Sequence, residues 1–240
     1  IAYGIAKQMK EHGAELAFSY ASEQFKKRIE PIAAELGVSF VEECDLTNDE
    51  AVEKLFAKVK KEIGNIDIVV HSVAFAPKEA LTGRYVDTTR ADFLTTMSIS
   101  VHTLLTVAKH AEPIMNEEGS IITLTYYGGE KVVKNYNVMG VAKAALDASV
   151  RYLAVDLGEA KHIRVNAISA GPIKTLAASG VGGFRSLMGL ITEMAPLRRP
   201  VDIEDCGNAA VYLASNLAKN VTGEVLHVDA GANIMGLYGN

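Results

Sequence analysis

The segment IDIVVHSV, Ile66–Val73, is apolar at most positions and rich in Ile and Val. That pattern suits a strand buried on both faces, as the middle of a parallel sheet requires. Upstream, Thr47 with Glu50 reads as a capping box opening a helix to about Ile63. VSFVEE, Val38–Glu43, is a strand ahead of the turn Cys44-Asp45-Leu46. Before it, Ser22–Leu36 has a helical pattern, with Pro31 expected to kink it or start a fresh turn. AELAFSY, Ala14–Tyr20, is another strand, and Ile1–His12 a helix with Gly13 placed for a left-handed cap. Downstream come a loop, Ala74–Asp87, a long helix, Thr89–Met115, and the strand SIITLTY, Ser120–Tyr126. A helix from Asn135 to about Gly158 and strands at Ile163–Ser169 and Gly223–Val228 complete the series.

Strands alternating with helices predict an α/β protein, a single Rossmann-type doubly wound parallel sheet flanked by helices. No repeat, low-complexity tract or linker interrupts the chain, so residues 1–240 are expected to form one domain. A dinucleotide fold opens on a strand and a Gly-rich turn into its first helix, yet this chain opens on the helix, with Gly4 the only nearby glycine. The first strand and Gly-rich turn are therefore expected to be missing, roughly twenty residues.

Composition narrows the function. Over 240 residues, 49% are hydrophobic and 22% charged, which suits a globular protein with a sizeable core. A net charge of −5 argues against a general nucleic-acid surface. No stretch approaches the roughly 18 consecutive apolar residues of a membrane helix, and the first residues lack the order of a signal peptide. Two cysteines, Cys44 and Cys206, are too few for a disulfide scaffold or a zinc site, so no metal is expected and a reducing cytoplasm is the simplest location.

The strongest chemical signal is NYNVMGVAK, Asn135–Lys143. Tyr136 and Lys143 are seven residues apart on an expected helix, about two turns or 10 Å, and share a face with Met139. A phenol and an ammonium on one wall can both address a ligand lying along it. The lysine can hold ribose hydroxyls, and its charge favours release of the phenol's proton. By itself such a pair is more often a chance one, a half-buried Tyr and a solvated Lys. Its place after a strand that ends in Tyr126 strengthens the functional reading, because ligands in such sheets bind at the carboxyl ends of strands. After the strand ending at Tyr20 come Ala21, Ser22 and Glu23, with no base before Lys26. An NADP site usually places an arginine there, so NADH is favoured, and the cluster Lys26, Lys27 and Arg28 leaves NADPH open.

An ordinary short-chain dehydrogenase/reductase has a serine at the strand end and Tyr-x-x-x-Lys on the helix; Gly140 stands where that lysine would be. The chain instead resembles the enoyl-[acyl-carrier-protein] reductase branch, with Tyr-x6-Lys and a second tyrosine ten residues earlier, as in Tyr126, Tyr136 and Lys143. GAELAF, CDL, HSVAFAP, LTYYGGE, NYNVMGVAKA, RVNAISAGPIKTLAASG, IEDCGNAAVYLAS and TGEVLHVDAG resemble family segments in order along nearly the whole chain. A carbonyl or ketoacyl reductase and a non-catalytic nucleotide-binding regulator are the rivals.

The resemblance implies reduction of a trans-2-enoyl thioester on acyl carrier protein by NADH, with Tyr126, Tyr136 and Lys143 catalytic. It implies a cofactor lined by Ile1, Ala21, Asp45, Leu46, Val73, Ala74, Lys143, Ile173, Lys174, Thr175, Leu176 and Ala177. Phe75, Ala76, Tyr126, Tyr136, Met139 and Phe184 would surround the acyl thioester. Read without the resemblance, Asp45 is a turn residue, Met139 a packing residue, and Phe75 and Phe184 core or lid aromatics. Residues 177–191 carry Gly180, Gly182, Gly183 and Gly189 and are expected to form a mobile lid over the acyl chain. A homotetramer is a further implication of the family.

Overall fold

The computed structural model describes residues 1–173 and 184–236, with side chains left out at 184–187. Helix α1 (Ala2–Glu11) leads to strand β1 (Ala17–Tyr20), α2 (Glu23–Leu36), β2 (Phe40–Glu43), α3 (Asp49–Glu62) and β3 (Ile66–His71). Then come α4 (Arg90–Met97), α5 (Thr103–Ala111), β4 (Met115–Thr125), α6 (Asn137–Lys161) and β5 (Arg164–Ala170). Helices α7 (Phe184–Met194) and α8 (Ile203–Ala214) precede β6 (Val225–Val228). All strand pairs are parallel. Their hydrogen bonds group them as β1–β2 and β3–β4–β5–β6.

Helices cover both faces, and successive strand residues show how. In β4, Ile121 packs with Leu104 and Ala108 of α5 and Leu146 and Val150 of α6. Its neighbours Ile122 and Leu124 point the other way, to Ile5 and Met9 of α1 and Ala210 and Leu213 of α8. The period-2 alternation of a strand thus feeds two separate cores. Every residue of β5 is buried, as a strand with partners on both sides and helices on both faces should be.

Local signals set most boundaries. Gly13 takes φ +89°, its N–H bonds Lys10 O, and the Ala14 N–H bonds Met9 O, the double closure of a Schellman motif. Gly37 ends α2 the same way, through its own N–H to Ala34 O and the Val38 N–H to Ala33 O. Helix α2 runs through Pro31 without a break. Asn48, not Thr47, caps α3 and accepts from the Ala51 N–H at 3.1 Å. Thr47 is instead drawn to Asp45, whose Oδ1 accepts from its N–H at 2.9 Å and its hydroxyl at 2.7 Å.

The long helix expected over 89–115 is divided. After α4, residues Ser98–His102 form a π-helical turn, and beyond α5 a 3₁₀ turn at Glu112–Ile114, carrying Pro113, feeds β4 five residues earlier than expected. The helix after β4 starts at Asn137 rather than Asn135, because Asn135 lies in the left-handed region at φ +65°.

Helices α1 and α8 meet backbone to backbone. A Cβ on Gly207 would lie 2.5 Å from Gly4 O and 2.6 Å from Gln8 Cγ, and one on Gly4 would lie 2.1 Å from Ile203 O. Gly207→Ala is therefore expected to destabilise the fold by about 1–3 kcal/mol through overpacking. Urea unfolding would show this as a lower midpoint at unchanged slope; an unaltered midpoint would mean the helices have room to part.

Candidate active site

Within each group of paired strands the carboxyl ends share one edge, and the expected site residues follow the strands in turn. Ala21 comes after β1 and is exposed; Asp45, exposed, and Leu46, half-buried, come after β2. Val73, Ala74, Phe75 and Ala76 come after β3, Tyr126 after β4, and the buried Ile173 after β5. Ile1, at the start of α1, packs beside Ala170, Ile173 and Cys206. Lys174, Thr175, Leu176 and Ala177, the side chain of Phe184 and the first part of the expected lid lie outside the described residues. From Phe184 onward that stretch is helix α7.

The end of β4 and the start of α6 bring the chemical groups together. Tyr126 continues β4 in extended conformation, and residues Tyr127–Gly129 then make a 3₁₀ turn. Tyr136 stands at the N-cap of α6, between Asn135 at φ +65° and Asn137 at φ +40°. Asparagine tolerates that region better than most residues, so the pair lets the chain turn sharply around the tyrosine. The rings of Tyr126 and Tyr136 meet edge to face, centroids 4.9 Å apart and planes at 70°. Tyr136 also joins Met139, Ala76 and Val101 in one apolar cluster. Phe75 is 49% exposed, with its N–H and carbonyl both bonded to Ser100 Oγ of the π turn at 3.0 and 2.9 Å.

Three glycines make this closeness feasible. A Cβ on Gly128 would lie 2.4 Å from the Tyr136 ring, and one on Gly140 would lie 2.7 Å from Gly128 O. A Cβ on Gly129 would lie 2.9 Å from Ala144 N. The position where an ordinary short-chain reductase has its lysine is thus the contact at which loop backbone rests on helix.

Lys143 is 5% exposed and reaches from α6 to β4, its Nζ donating to Leu124 O at 2.6 Å. Burial lowers its pKa to about 8, with Asp147 opposing the fall. Tyr136 goes the other way: burial first, then Tyr126 and Asp147, push its phenol well above the usual value. Burial, with Tyr126 and Asp147 adding to it, favours the protonated phenol, and Lys143 is not among the groups that set this shift. Burial also raises Tyr126.

Two residues of this site escaped the sequence reading. His71, at the end of β3, is 3% exposed, with Nδ1 2.9 Å from Thr123 Oγ1 and Nε2 2.9 Å from Thr103 Oγ1. Thr103 donates its own proton to Ile99 O at 2.7 Å, so it accepts from Nε2–H, and Nδ1 accepts from Thr123. A lone base inside the apolar run of Ile66–Val73 was the available signal. Asp147, 8% exposed and one turn beyond Lys143, is the second, and its i,i+4 spacing from that lysine was the signal.

A polar recess of about 700 Å³ lies at the opposite, amino-terminal edge, lined by Glu118, His162, Arg164, Asn216, Lys219 and Asn220. There Arg164 binds the carbonyls of Leu213, Ala214 and Ser215 at the end of α8, which is structural work far from the tyrosines. Among the described residues no group of three or more His, Cys, Asp or Glu is placed to hold a metal, and no helix is long and apolar enough to cross a membrane.

Residues 1–233 match the family model described as Enoyl-(Acyl carrier protein) reductase. The chain belongs to this family. It is 55% identical, over 99% of its length and 87% of the relative's, to the enoyl-[acyl-carrier-protein] reductase [NADH] 1 of Rhizobium meliloti (strain 1021). The enoyl reductase of Anaplasma phagocytophilum, solved in complex with NAD, superposes with a TM-score of 0.93 at 50% identity, covering 98% of this chain and 88% of that one. The Bacillus cereus enoyl reductase, solved with NADP+ and an indole naphthyridinone, gives a TM-score of 0.96 at 52% identity over 98% and 92% of the two chains. The enoyl-reductase branch, not the carbonyl-reductase one, is the family, and its fold is the Rossmann-like one expected from the strand and helix rhythm.

His71 carries a consequence for stability. Burial, then the charge of Lys143, lowers its pKa from 6.5 to about 3. Between those values the unfolded chain binds the proton and the folded chain does not, so stability falls as pH drops from about 6.5 toward 3. The contribution is on the order of a few kcal/mol. In urea titrations from pH 7 to 4, His71→Gln should lose less stability than the parent; equal slopes would show that the imidazole takes up its proton without unfolding.

Proposed function

We propose that the chain reduces trans-2-enoyl thioesters of acyl carrier protein to saturated acyl thioesters with NADH, the last step of the bacterial elongation cycle. In this reading Tyr136 is the proton-bearing donor and Lys143 the cofactor-holding cation. Family membership supports the reaction, and the R. meliloti relative is named for both the substrate and NADH. One observation carries the residue roles: a phenol held protonated by burial stands beside a second tyrosine and two turns from a buried ammonium, at the carboxyl edge of the sheet. A carbonyl reductase offers no rival pair here, since Gly140 has no side chain where its lysine would act. A regulator that only binds nucleotide gives no reason to bury Tyr136 and Lys143 together.

NADH supplies the hydride, which adds to the β carbon of the enoyl group. The site's residues fit such a partner. Among the described residues the only hydrogen bond of the Lys143 ammonium goes to Leu124 O, and an ammonium carries three donors. The remainder suit ribose hydroxyls. Negative charge then builds on the thioester oxygen, and a donor aimed at that oxygen stabilises the transition state more than the ground state. Tyr136 is that donor, while Tyr126 packs against its ring and shares in orienting the thioester. Met139, Ala76 and Phe75 line the acyl side. Ile1, Ala21, Asp45, Leu46, Val73, Ala74 and Ile173 follow the cofactor along the strand ends, and the family resemblance assigns Lys174, Thr175, Leu176 and Ala177 to the same cofactor.

Residues 1–240 are read as one reductase domain with a lid at 177–191, in which Phe184 closes over the substrate. The cytoplasm suits its two thiols, both free and buried. Helices α4 to α6 leave Leu94 58%, Leu105 39%, Tyr152 77% and Val155 57% exposed, an apolar surface that supports a homotetramer. Sedimentation equilibrium at micromolar concentration should give four times the chain mass, and Tyr152→Glu a smaller species; a monomer throughout removes this part of the reading.

The reaction is tested by loss of NADH absorbance with a short trans-2-enoyl thioester. Tyr136→Phe should lower kcat about a hundredfold or more, the usual loss for one such donor, with NADH affinity kept. Full activity in that variant would end the donor role for Tyr136.

A further inference from the structure

Asp147 is the buried charge that the reaction as described does not use. It lies one turn along α6 from Lys143 and is 8% exposed. The buried Thr125 hydroxyl at the end of β4 lies beside the carboxylate and steadies its ionised form, while Oδ1 has no hydrogen bond of good geometry among the described residues. The loop after β4 is pressed against this carboxylate: a Cβ on Gly129 would lie 3.1 Å from Oδ2 and 3.0 Å from the Lys143 carbonyl carbon. A carboxylate is costly to bury without partners, and one placed only to hold the loop would be expected to bond its backbone N–H groups. Here the glycine N–H bonds Tyr126 O instead, at 2.9 Å.

What the carboxylate does face is a set of ionisable groups. Lys143 and Arg151 lie along its own helix, Tyr136 at the helix start, and Glu130 in the loop after β4. Glu130 is itself paired at 2.7 Å with His227 of β6. His71, from β3, faces Lys143 and is held neutral. Burial pushes the Asp147 carboxyl up, and a hydrogen bond from the Thr125 hydroxyl, then the Lys143 ammonium, pull it back. In turn Asp147 raises both Lys143 and Tyr136.

We propose that Asp147 is the positioning anion of this site, a buried carboxylate one turn from Lys143 that keeps the lysine ammonium and the Tyr136 phenol both loaded with their protons. The proposal rests on the reading of Tyr136 and Lys143 as the working pair. Asp147 touches neither substrate nor cofactor; it acts through the two groups that do. Without it the buried lysine would sit neutral over part of the physiological range, and the cofactor would lose a charged donor. A carboxylate steadied by one hydroxyl rather than by backbone N–H groups fits this role, since an oxygen bonded to several backbone N–H groups would lend less of its field to the lysine.

The test is the pH dependence of NADH affinity, followed by fluorescence between pH 6 and 10 in the full chain. Affinity in the parent should fall as pH passes about 8, the value to which burial brings Lys143, and Lys143→Ala should bind weakly with no such inflection. Asp147→Asn should move the inflection down by about one pH unit, the scale of one close opposite charge, with affinity near pH 6 close to the parent's. Asp147→Glu should return the inflection to the parent value. A folded Asn variant with an unmoved inflection, or with affinity weakened equally at every pH, would overturn the proposal and leave the Lys143 role standing. A parent profile without an inflection, or one that survives in Lys143→Ala, would bring down the Lys143 reading itself. Should the Asn variant not fold, the parent labelled with ¹³Cγ-aspartate decides: Asp147 ionised at pH 7 is required, and a carboxyl still protonated at pH 8 overturns the proposal.

Discussion

The contact on which the site depends is the pressing of α6 against the carboxyl end of β4. Four consecutive residues of that strand end each meet a different group. Thr123 meets His71, Leu124 O accepts from Lys143, the Thr125 hydroxyl lies by Asp147, and Tyr126 meets Tyr136. A strand turns successive side chains to opposite faces, while its carbonyls lie in the sheet plane. One short segment can therefore serve both faces and the edge together. Gly128, Gly129 and Gly140 set how near the helix can come, and side chains at those positions would hold loop and helix apart.

That nearness shapes the electrostatics. Lys143 is buried and Tyr136 partly so, and each is driven toward its neutral form: the lysine loses its proton more readily and the phenol holds on to its own. The phenol's shift serves the task directly, while the lysine's works against it and is opposed by Asp147. A donor aimed at a developing oxyanion should keep its proton until the transition state, and a cation that binds hydroxyls should stay charged through the neutral range. The π turn at Ser98–His102 supports the same edge from below, bonding the backbone of Phe75 through Ser100 and handing on to Thr103, which holds His71. π turns of this kind recur at functional sites, where one extra residue in a helical turn re-aims its neighbours.

Much of the fold was legible because its signals are local. Gly13 and Gly37 end helices through the left-handed conformation that glycine adopts without strain, and the Ile/Val-rich runs of β3 and β4 announce strands buried on two faces. Errors arose where two local solutions compete within a residue or two. Thr47 and Asn48 are both good caps, and the side chain of Asp45 took Thr47 for its own turn. Pro113 marks the end of a helix that amphipathic pattern alone would have carried to Met115.

The sequence by itself determined the strand and helix rhythm, the Tyr126, Tyr136 and Lys143 spacing and, through resemblance, the family. Those are properties of neighbours along the chain, and periodicity or motif spacing expresses them directly. Tertiary structure alone decided that α6 presses on the end of β4, that burial favours the protonated Tyr136 phenol, and that His71 and Asp147 lie beside Lys143. Each of these depends on burial and on charges brought together from distant segments: β3 with α5 and β4 for His71, and the glycine-bearing loop with α6 for Asp147. A protonation state follows from how much water a fold excludes, and no spacing along a chain records that.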